Sequence, residues 1–465
     1  PNRIPVLVWL LLLETAFLAT FPIGYFVFRG LHDRGYLLTK ILSVLLLAYI
    51  PWVLSTLALL PFGRLSIFTG LALLFVVSAA LVFRHGHEIW HFVRTRWQTI
   101  ALEEGLFLVA FLVFLTLRWA NPDLWHPFRG GEKPMDLAYL NAIIRSTTGN
   151  PYDPWFAGGY LNYYHFGLFI VATMIKVTGI LTEIAYNLAI PLLFALTVGG
   201  SFSIAYNFSH ALRTHLPQQP KSDWIPTVTG FSAVLFIAVL GNMGSAVQLV
   251  VNTWNSVTAD IPFPSFNFWG PSRMMPDQIS INEFPFWSFL FGDLHAHLIA
   301  IPFTLLVVGL SLNLVGIGAQ RDDNEIQNGI SWRSILPSIG ILAFSVGSLA
   351  AINTWDYPSY LILSAAALVI AMYSNLRPNV TSSHTMGQQQ FSQGLGDVVP
   401  DYVPHSIPRR PFPIWQFVAK TLPRVALLIV LSYALFAPYH IHNSGFDVGV
   451  HASEFQTNIL HYIGI

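Results

Sequence analysis

The sequence contains no cysteine and few charged residues. The absence of cysteine from all 465 residues excludes disulfides, thiolate zinc sites and cysteine nucleophiles. Charged residues make up only 10% of the chain, whereas hydrophobic residues make up 54%. Soluble globular proteins carry about 25% charged residues. The composition therefore indicates a polytopic membrane protein.

The sequence also lacks the signatures of several function classes. Its formal net charge is zero, so nothing in the charge points to nucleic acid as a partner. It has no P-loop, G-x-S-x-G, H-E-x-x-H or dinucleotide-binding motif, which disfavours an ATP-driven pump and the commoner soluble chemistries. It shows no clear duplication of halves, which disfavours an inverted-repeat transporter.

Hydrophobic runs of membrane-spanning length occur about ten times. The predicted spans cover residues 5–28, 38–60, 65–83, 102–119, 183–208, 227–243, 289–315, 335–352, 357–374 and 414–438. The runs lack the alternation of a barrel strand, and lipid offers no partner for free backbone groups, so all of them are predicted to be helices. The predicted fold class is all-α, a polytopic transmembrane bundle.

A further apolar run, residues 160–180, contains Tyr163, Tyr164, His165 and Lys176. The distribution of basic residues decides whether this run crosses the membrane. If the run does not cross, the loops that carry most of the basic residues all lie on one side of the membrane. The basic residues of these loops are Arg29, Arg34, Lys40, Arg84, Arg94, Arg96, Arg213, Lys221, Arg321, Arg333, Arg377, Arg409 and Arg410. We therefore predict an interfacial or re-entrant helix on the outer face of the plasma or inner membrane.

This arrangement predicts how the chain is organised. Residues 1–100 hold three spans that precede the first polar loop, and we predict that they form a separable extension. Residues 101–465 form the transmembrane core, with outer loops at 119–183 and 244–290. Residues 376–413, rich in Gln, Ser, Gly and Pro, are predicted to be a cytoplasmic loop.

The first outer loop has an unusual density of charged and aromatic residues. Asp136 follows a Gly-Gly turn and a proline, and a short amphipathic helix is predicted to begin near it. One interpretation is that Asp136 caps this helix. The other is that it acts as a general base at the mouth of a membrane cavity, with Glu132 as a second candidate acid.

The same loop continues as NPYDPWFAGGYLNYYHFG. An aromatic belt at the membrane surface explains Trp155 well. It explains less well the consecutive residues Asn162, Tyr163, Tyr164 and His165, whose hydrogen-bonding groups suit the hydroxyls or phosphate of a ligand. We predict that these four residues and Trp155 contribute to substrate binding.

The segment FPFWSFLFGDLHAH places Asp293, His295 and His297 at the entry of a predicted span. Ionisable groups in membrane segments are costly and are usually functional. Asp293 and His297 share a helix face and are candidate ligands for a divalent cation, Mg²⁺ or Mn²⁺. The alternative is a buried Asp–His pair that stabilises a helix end. His295 is a candidate substrate-binding residue.

The segment Asn353-Thr354-Trp355-Asp356-Tyr357-Pro358 links two spans on the predicted outer side. Asn, Asp and Pro are sufficient for a tight turn. The added aromatic residues are typical of a wall that faces a sugar or a lipid, so Asn353, Trp355 and Asp356 are further candidates for substrate binding.

The strings AGGYLNYYHFG, GDLHAHL and NTWDYPSY resemble those of a bacterial and archaeal family of uncharacterised membrane proteins named "YYY" for its tyrosines. The order of loops and spans also resembles the GT-C superfamily of membrane glycosyltransferases. That resemblance implies a polyprenyl-phosphate sugar donor, reaction on the extracytoplasmic face and a first-loop carboxylate as base, which corresponds to Asp136. Such enzymes often have Asp-Glu there, whereas this chain has Met135-Asp136 with Glu132 nearby.

Two other functions compete with a glycosyltransferase. A transporter or flippase for a lipid-linked or polar solute would use the same aromatic cavity without breaking a bond. A non-catalytic subunit of a larger membrane complex would use the outer loops to bind partner chains. The lipid bilayer is the expected environment in all three cases.

Overall fold

Helices of membrane length dominate the computed structural model of the protein. The structure describes residues 4–126, 131–163, 165–214, 224–241, 244–259, 261–263, 267, 269–272, 283–319, 331–376 and 414–442. The helices in these residues are α1 (Ile4–Val27), α2 (Tyr36–Thr56), α3 (Arg64–Thr95), α4 (Trp97–Ala120), α5 (Lys133–Arg145), α6 (His165–Thr178), α7 (Thr182–Thr214), α8 (Trp224–Val234), α9 (Gly244–Thr258), α10 (Pro285–Phe291), α11 (Ala296–Ala319), α12 (Trp332–Ile352), α13 (Asp356–Leu376), α14 (Ile414–Ala434) and α15 (Ala437–His442).

The prediction of an all-α bundle with about ten spans is confirmed. In the described part of the chain, 9 helices are long and apolar enough to cross a membrane. A tenth crossing is formed if α8, its π-helical continuation Leu235–Val239 and α9 act together, across a bend of 79°. The structure therefore agrees with the number of apolar runs in the sequence.

Helix α7 lies at the centre of the bundle. It packs against α2, α4, α8 and α11, and 89% of its most apolar stretch is buried, compared with 17% for α14. Large apolar side chains on α3, α4 and α14 are exposed instead. Exposed apolar surface of this extent is what lipid-facing helices present.

One predicted span begins later than expected. The apolar run 289–315 is divided into α10 and α11, and residues 292–295 connect the two helices. Gly292 adopts a left-handed conformation with φ 68°, which ends α10 because glycine has no Cβ to oppose it. Asp293 and His295 therefore lie in a non-helical connection and not on a helix face.

Helix α6 corresponds to the ambiguous run 160–180. Its 14 residues extend about 21 Å, which is too short for a hydrocarbon layer of about 30 Å. The side chains from His165 to Ile175 are all buried, and α6 packs against α2, α5 and α12. The sequence predicts an interfacial or a re-entrant helix for this run. Its burial on all sides argues against the interfacial form, because α6 is enclosed by protein, whereas the re-entrant form stays a prediction.

The chain alternates between two ends of the bundle. The first, which we call the basic end, contains Arg29, Arg34 and Arg96, and the last turns of α7 and α11 meet these residues there. The opposite end, which we call the site end, contains α5, the 292–295 connection and the turn between α12 and α13. Which end faces the cytoplasm stays a prediction.

The proposed extension at residues 1–100 is closely packed on the rest of the bundle. Helix α2 contacts α6, α7 and α11. The Lys40 Nζ atom lies 2.5 Å from Glu14 Oε1 and 3.0 Å from Glu104 Oε2, so an ion cluster joins α1, α2 and α4. Whether the extension is separable stays a prediction, and residues 377–413 of the predicted cytoplasmic loop lie outside the described residues.

Candidate functional site

Asp136 and Asp293 form a pair of buried carboxyl groups at the site end. Asp136 lies in the first turn of α5 and is fully buried, and Asp293 is 8% exposed. The Tyr186 hydroxyl on α7 donates to Asp136 Oδ2 at 3.2 Å and accepts from the Leu294 N–H at 2.9 Å. This phenol connects three separate parts of the chain.

The two carboxyl groups lie close enough for each to influence the other. The Oδ1 atom of each is buried and has no hydrogen-bond partner among the described residues. Burial, followed by the hydrogen bond with Asp293 and the charge of that residue, raises the pKa of Asp136 far above its usual range. Asp136 therefore keeps a proton at neutral pH, and the neighbouring Asp293 carboxyl offers an acceptor for it.

Glu132 directly precedes α5, and its backbone N–H donates to Asp293 Oδ2 at 3.0 Å. Gly131 makes this turn possible with a left-handed φ of 62°. A Cβ at Gly131 would collide with the Phe291 ring and lie 2.8 Å from Asp293 Oδ2, so only glycine fits. The buried pair thus holds the backbone that presents the Glu132 side chain.

The Glu132 side chain is 48% exposed and begins a row of four titratable groups. Its Oε2 atom lies 3.1 Å from His295 Nε2. The Nδ1 atoms of His295 and His297 are 2.8 Å apart, and His297 Nε2 lies 2.7 Å from Glu283 Oε2. We call these four residues the Glu–His–His–Glu row.

The geometry of this row determines how many protons it holds. When both glutamates are ionised, each accepts from one Nε2–H, and the Nδ1–Nδ1 contact needs one more proton. Burial alone would raise the pKa of Glu283, but hydrogen bonds from His297 and Ser288 lower it below its usual value. The row is therefore suited to moving a proton along its length.

A second set of polar groups lies beside the row. The Tyr163 hydroxyl donates to Asn353 Oδ1 at 3.1 Å, and Asn353 Nδ2 donates to Asp356 Oδ2 at 2.9 Å. Tyr163 is also an edge neighbour of His295, with ring centroids 6.2 Å apart. Asn353 and Asp356 line a cavity of 220 Å³ together with His297 and Glu283.

A larger cavity of 480 Å³ holds two buried cations, Arg118 and Lys133. The Arg118 guanidinium donates to Asn187 Oδ1 at 2.6 and 2.9 Å, and Lys133 Nζ lies 4.7 Å from the centroid of the Phe291 ring. Burial and the charge of Arg118 lower the pKa of Lys133, so an anion in the cavity would stabilise both cations. Phe114, Trp125, Trp269, Phe289 and Phe291 supply aromatic walls, and Asp123 supplies a carboxylate.

Several predicted substrate-binding residues lie apart from these groups. Trp155 and Trp355 are 65% and 71% exposed. His165 is buried, with Nε2 2.5 Å from the Gly149 carbonyl, so it joins α6 to the preceding loop. The Asn162 carbonyl accepts from the His165 N–H at the start of α6. Tyr164 lies outside the described residues.

The two proposed metal ligands have different partners. Asp293 faces Asp136 and the Glu132 backbone, whereas His297 faces His295 and Glu283. In the portion of the chain that is described, no group of 3 or more His, Asp or Glu residues is arranged to hold a metal ion. The divalent cation stays a prediction.

Sequence reasoning missed Arg118 and Tyr186. Arg118 had a detectable signal, because it is a charged residue in the last turn of an apolar span. Tyr186 had none, because one tyrosine in an apolar helix is unremarkable in sequence. Only the packing of α7 against α5 brings its hydroxyl to Asp136.

The fold and site define a polytopic α-helical membrane protein with a polar centre at one end. Residues 46–465 match the family model described as "Uncharacterized membrane protein (DUF2298)", and the chain belongs to that family. The match agrees with the uncharacterised membrane family that the tyrosine-rich motifs resemble, and it begins within α2. Searches of curated proteins and of solved structures returned no match.

Proposed function

We propose that the protein is a membrane glycosyltransferase that transfers a sugar from a polyprenyl-phosphate donor to an acceptor hydroxyl or amine at the site end. The observation that carries the proposal is that a candidate base lies directly beside a candidate anion-binding site. Glu132 and Lys133 are consecutive, yet Glu132 faces His295 and Lys133 faces the cation-lined cavity. A base and an anion site are both needed at a sugar–phosphate bond.

The residue best suited to act as base is Glu132. Its side chain is partly exposed and hydrogen-bonded to His295, so it can reach an acceptor and pass a proton onward. Asp136 is fully buried and its raised pKa keeps it protonated. We therefore assign Asp136 a positioning role, because it holds Asp293, which in turn holds the Glu132 backbone.

The proposed reaction is a displacement at the anomeric carbon. The acceptor oxygen or nitrogen forms a bond to this carbon while the bond from the carbon to the phosphate oxygen breaks. The electron pair leaves with the lipid phosphate, and Glu132 takes the acceptor proton. Lys133 and Arg118 stabilise the additional negative charge on the departing phosphate, as fixed cations in a dry site do.

The walls of the cation-lined cavity suit the rest of such a donor. Trp125, Trp269 and Phe291 offer faces on which a sugar or the first isoprene units can stack. Asn353 and Asp356 line the smaller cavity beside His297, where they can hydrogen-bond a hydroxyl-bearing acceptor. Each cavity thus matches one of the two substrates.

The test is transfer of labelled sugar from polyprenyl-phosphate donors by the purified protein in lipid, with and without Mg²⁺ or Mn²⁺. Glu132→Gln keeps the shape of the side chain and its contact with His295 but removes the base. We expect the transfer rate to fall by about 10²–10⁴-fold, the usual contribution of general acid–base catalysis. Glu183→Gln is the matched control, since Glu183 is an exposed acid at the same end.

Three results would contradict the proposal. One is the absence of transfer from every polyprenyl-phosphate donor tested, and another is an unchanged rate in Glu132→Gln. A third is movement of an intact lipid-linked solute across proteoliposomes without bond cleavage. That last result would favour the transporter, for which the Lys40 ion cluster with Glu14 and Glu104 inside the spans is the supporting observation.

A further inference from the structure

A cavity of 520 Å³ lies at the basic end, opposite the site described above. Its polar lining consists of Arg29, Arg34, Arg96, His32, His210 and Asn207. No Asp or Glu is among the described residues that line it. The three guanidinium groups concentrate positive charge around this cavity, which favours the binding of an anion there.

The acidic residue of the connecting loop is turned away from this cavity. Asp33 is buried, and its Oδ1 accepts from the Gly35 N–H while its Oδ2 accepts from the Ser203 hydroxyl, both at 2.7 Å. Asn207 accepts from the N–H groups of His32 and Asp33 and so holds the loop in place. The loop is thus built so that its carboxylate faces the bundle and its basic side chains face the cavity.

Two imidazole rings lie among the cations. The His32 ring stacks on the His210 ring with centroids 3.3 Å apart, and His32 Nε2 lies 2.5 Å from Arg96 Nη1. Burial, followed by the neighbouring charges of His210 and Arg96, lowers the pKa of His32 to about 3. A neutral His32 accepts from Arg96 and orients that guanidinium, so the arginine is fixed before a ligand arrives.

The position of the cavity indicates the kind of anion that it suits. Its lining comes from the loop between α1 and α2, from Phe92 of α3 and from the last turns of α7 and α11. It therefore lies at the ends of membrane-length helices, where lipid headgroups are expected. Arginine binds phosphate oxygens with two parallel hydrogen bonds. We propose that this cavity binds a phosphate-bearing anion, either a phospholipid headgroup or a soluble phosphate compound.

Two experimental arms separate the two sources of phosphate. In the first, the protein is placed in phosphatidylcholine nanodiscs and titrated with inorganic pyrophosphate, and thermal unfolding is followed. In the second, phosphatidylglycerol is introduced into the nanodiscs without a soluble phosphate. Stabilisation in the first arm identifies a soluble anion, stabilisation in the second identifies a headgroup, and either result supports the site.

The variant Arg29→Gln/Arg96→Gln removes two cations from the cavity. We expect it to weaken binding of the effective anion about tenfold or more, because each guanidinium contributes charge-assisted hydrogen bonds to phosphate. Arg96→Lys keeps the charge but loses the paired hydrogen bonds, so it should bind the anion more weakly than the natural protein and more tightly than the double variant. Arg94→Gln is the matched control, since Arg94 is exposed at the same end and does not line the cavity.

Two outcomes would overturn the proposal. One is that neither pyrophosphate nor phosphatidylglycerol stabilises the protein relative to phosphatidylcholine alone. The other is an equal loss of binding in Arg94→Gln and in the double variant, which would reflect surface charge in general. The proposal does not depend on the glycosyltransferase activity, because both readouts are binding measurements at the opposite end.

Discussion

At the scale of single residues, the protonation of Asp136 has the clearest consequence. A carboxyl group next to another carboxyl in a buried site holds its proton, because two negative charges there would face each other without solvent. The Tyr186 hydroxyl donates to Asp136 and accepts from the Leu294 N–H, which joins α5, α7 and the 292–295 connection. The pair therefore supports the geometry of the site without leaving a buried charge unpaired.

This protonation predicts the pH dependence of stability. An aspartate in the unfolded chain has a pKa of about 3.9, whereas the pKa of Asp136 is raised in the folded protein. The folded state therefore binds more protons above pH ~4, and the free energy of unfolding falls as pH rises until the folded pKa is reached. Asp136→Asn removes this dependence and keeps an N–H donor for Asp293.

As the pH rises from 5 to 8, we expect the melting temperature of the natural protein to fall relative to that of Asp136→Asn. Thermal unfolding in detergent measures it, with Asp153→Asn in the same loop as control. A constant difference across this range would mean that Asp136 is ionised in the folded protein.

At the scale of elements, the turn before α5 depends on Gly131. Both Gly131 and Gly158 have left-handed backbones, with φ of 62° and 81°. A Cβ at Gly131 would collide with Phe291 and crowd Asp293, whereas a Cβ at Gly158 has no described atom within 4 Å. Substitutions at these two positions therefore distinguish the cost of backbone strain alone from the cost of strain together with a steric clash.

We expect Gly158→Ala to lower the free energy of unfolding by about 1–2 kcal/mol, the cost of a left-handed alanine. Gly131→Ala should cost roughly 2–5 kcal/mol in total, because overpacking adds about 1–3 kcal/mol. Thermal or denaturant unfolding checks the order. Equal effects would show that the Phe291 ring moves aside easily.

The shortness of α6 and the break between α10 and α11 are also features of elements. Both place polar groups at the site end without a complete crossing of the bundle. Backbone outside helices is tolerated at membrane depth only where protein or water satisfies it. Here protein groups accept these hydrogen bonds: the Glu132 N–H donates to Asp293, and the Leu294 N–H donates to Tyr186.

At the scale of the whole molecule, the charges of the two ends predict an orientation. The positive-inside rule puts the end with Arg29, Arg34 and Arg96 in the cytoplasm. The chain has no cysteine, so single introduced cysteines report their location without background. Glu183 and Thr95 are exposed at the site end and the basic end, respectively.

We expect Glu183→Cys to react with a membrane-impermeant maleimide added to intact cells, and Thr95→Cys to react only after permeabilisation. The reverse pattern would place the proposed transferase site in the cytoplasm and exclude the predicted sidedness. Labelling of both residues in intact cells would show that the cells leak.

The sequence alone determined the class of the molecule. Long apolar runs in lipid must form helices, because no other single-segment structure satisfies the backbone, so the number and type of spans could be predicted. It also located the polar segments around residues 136, 293 and 353, which the structure brings to one end of the bundle. The lengths of α6 and α11 were less predictable, since hydropathy does not detect a left-handed glycine such as Gly292.

Tertiary structure alone decided which acids are buried and which are exposed. Asp136 and Glu132 are four positions apart and chemically similar, yet α7 and the 292–295 connection enclose the first and leave the second beside His295. Burial and partners set the protonation state of a carboxyl group, and both come from helices distant in sequence. For that reason the sequence could propose Asp136 as the base, whereas packing favours Glu132.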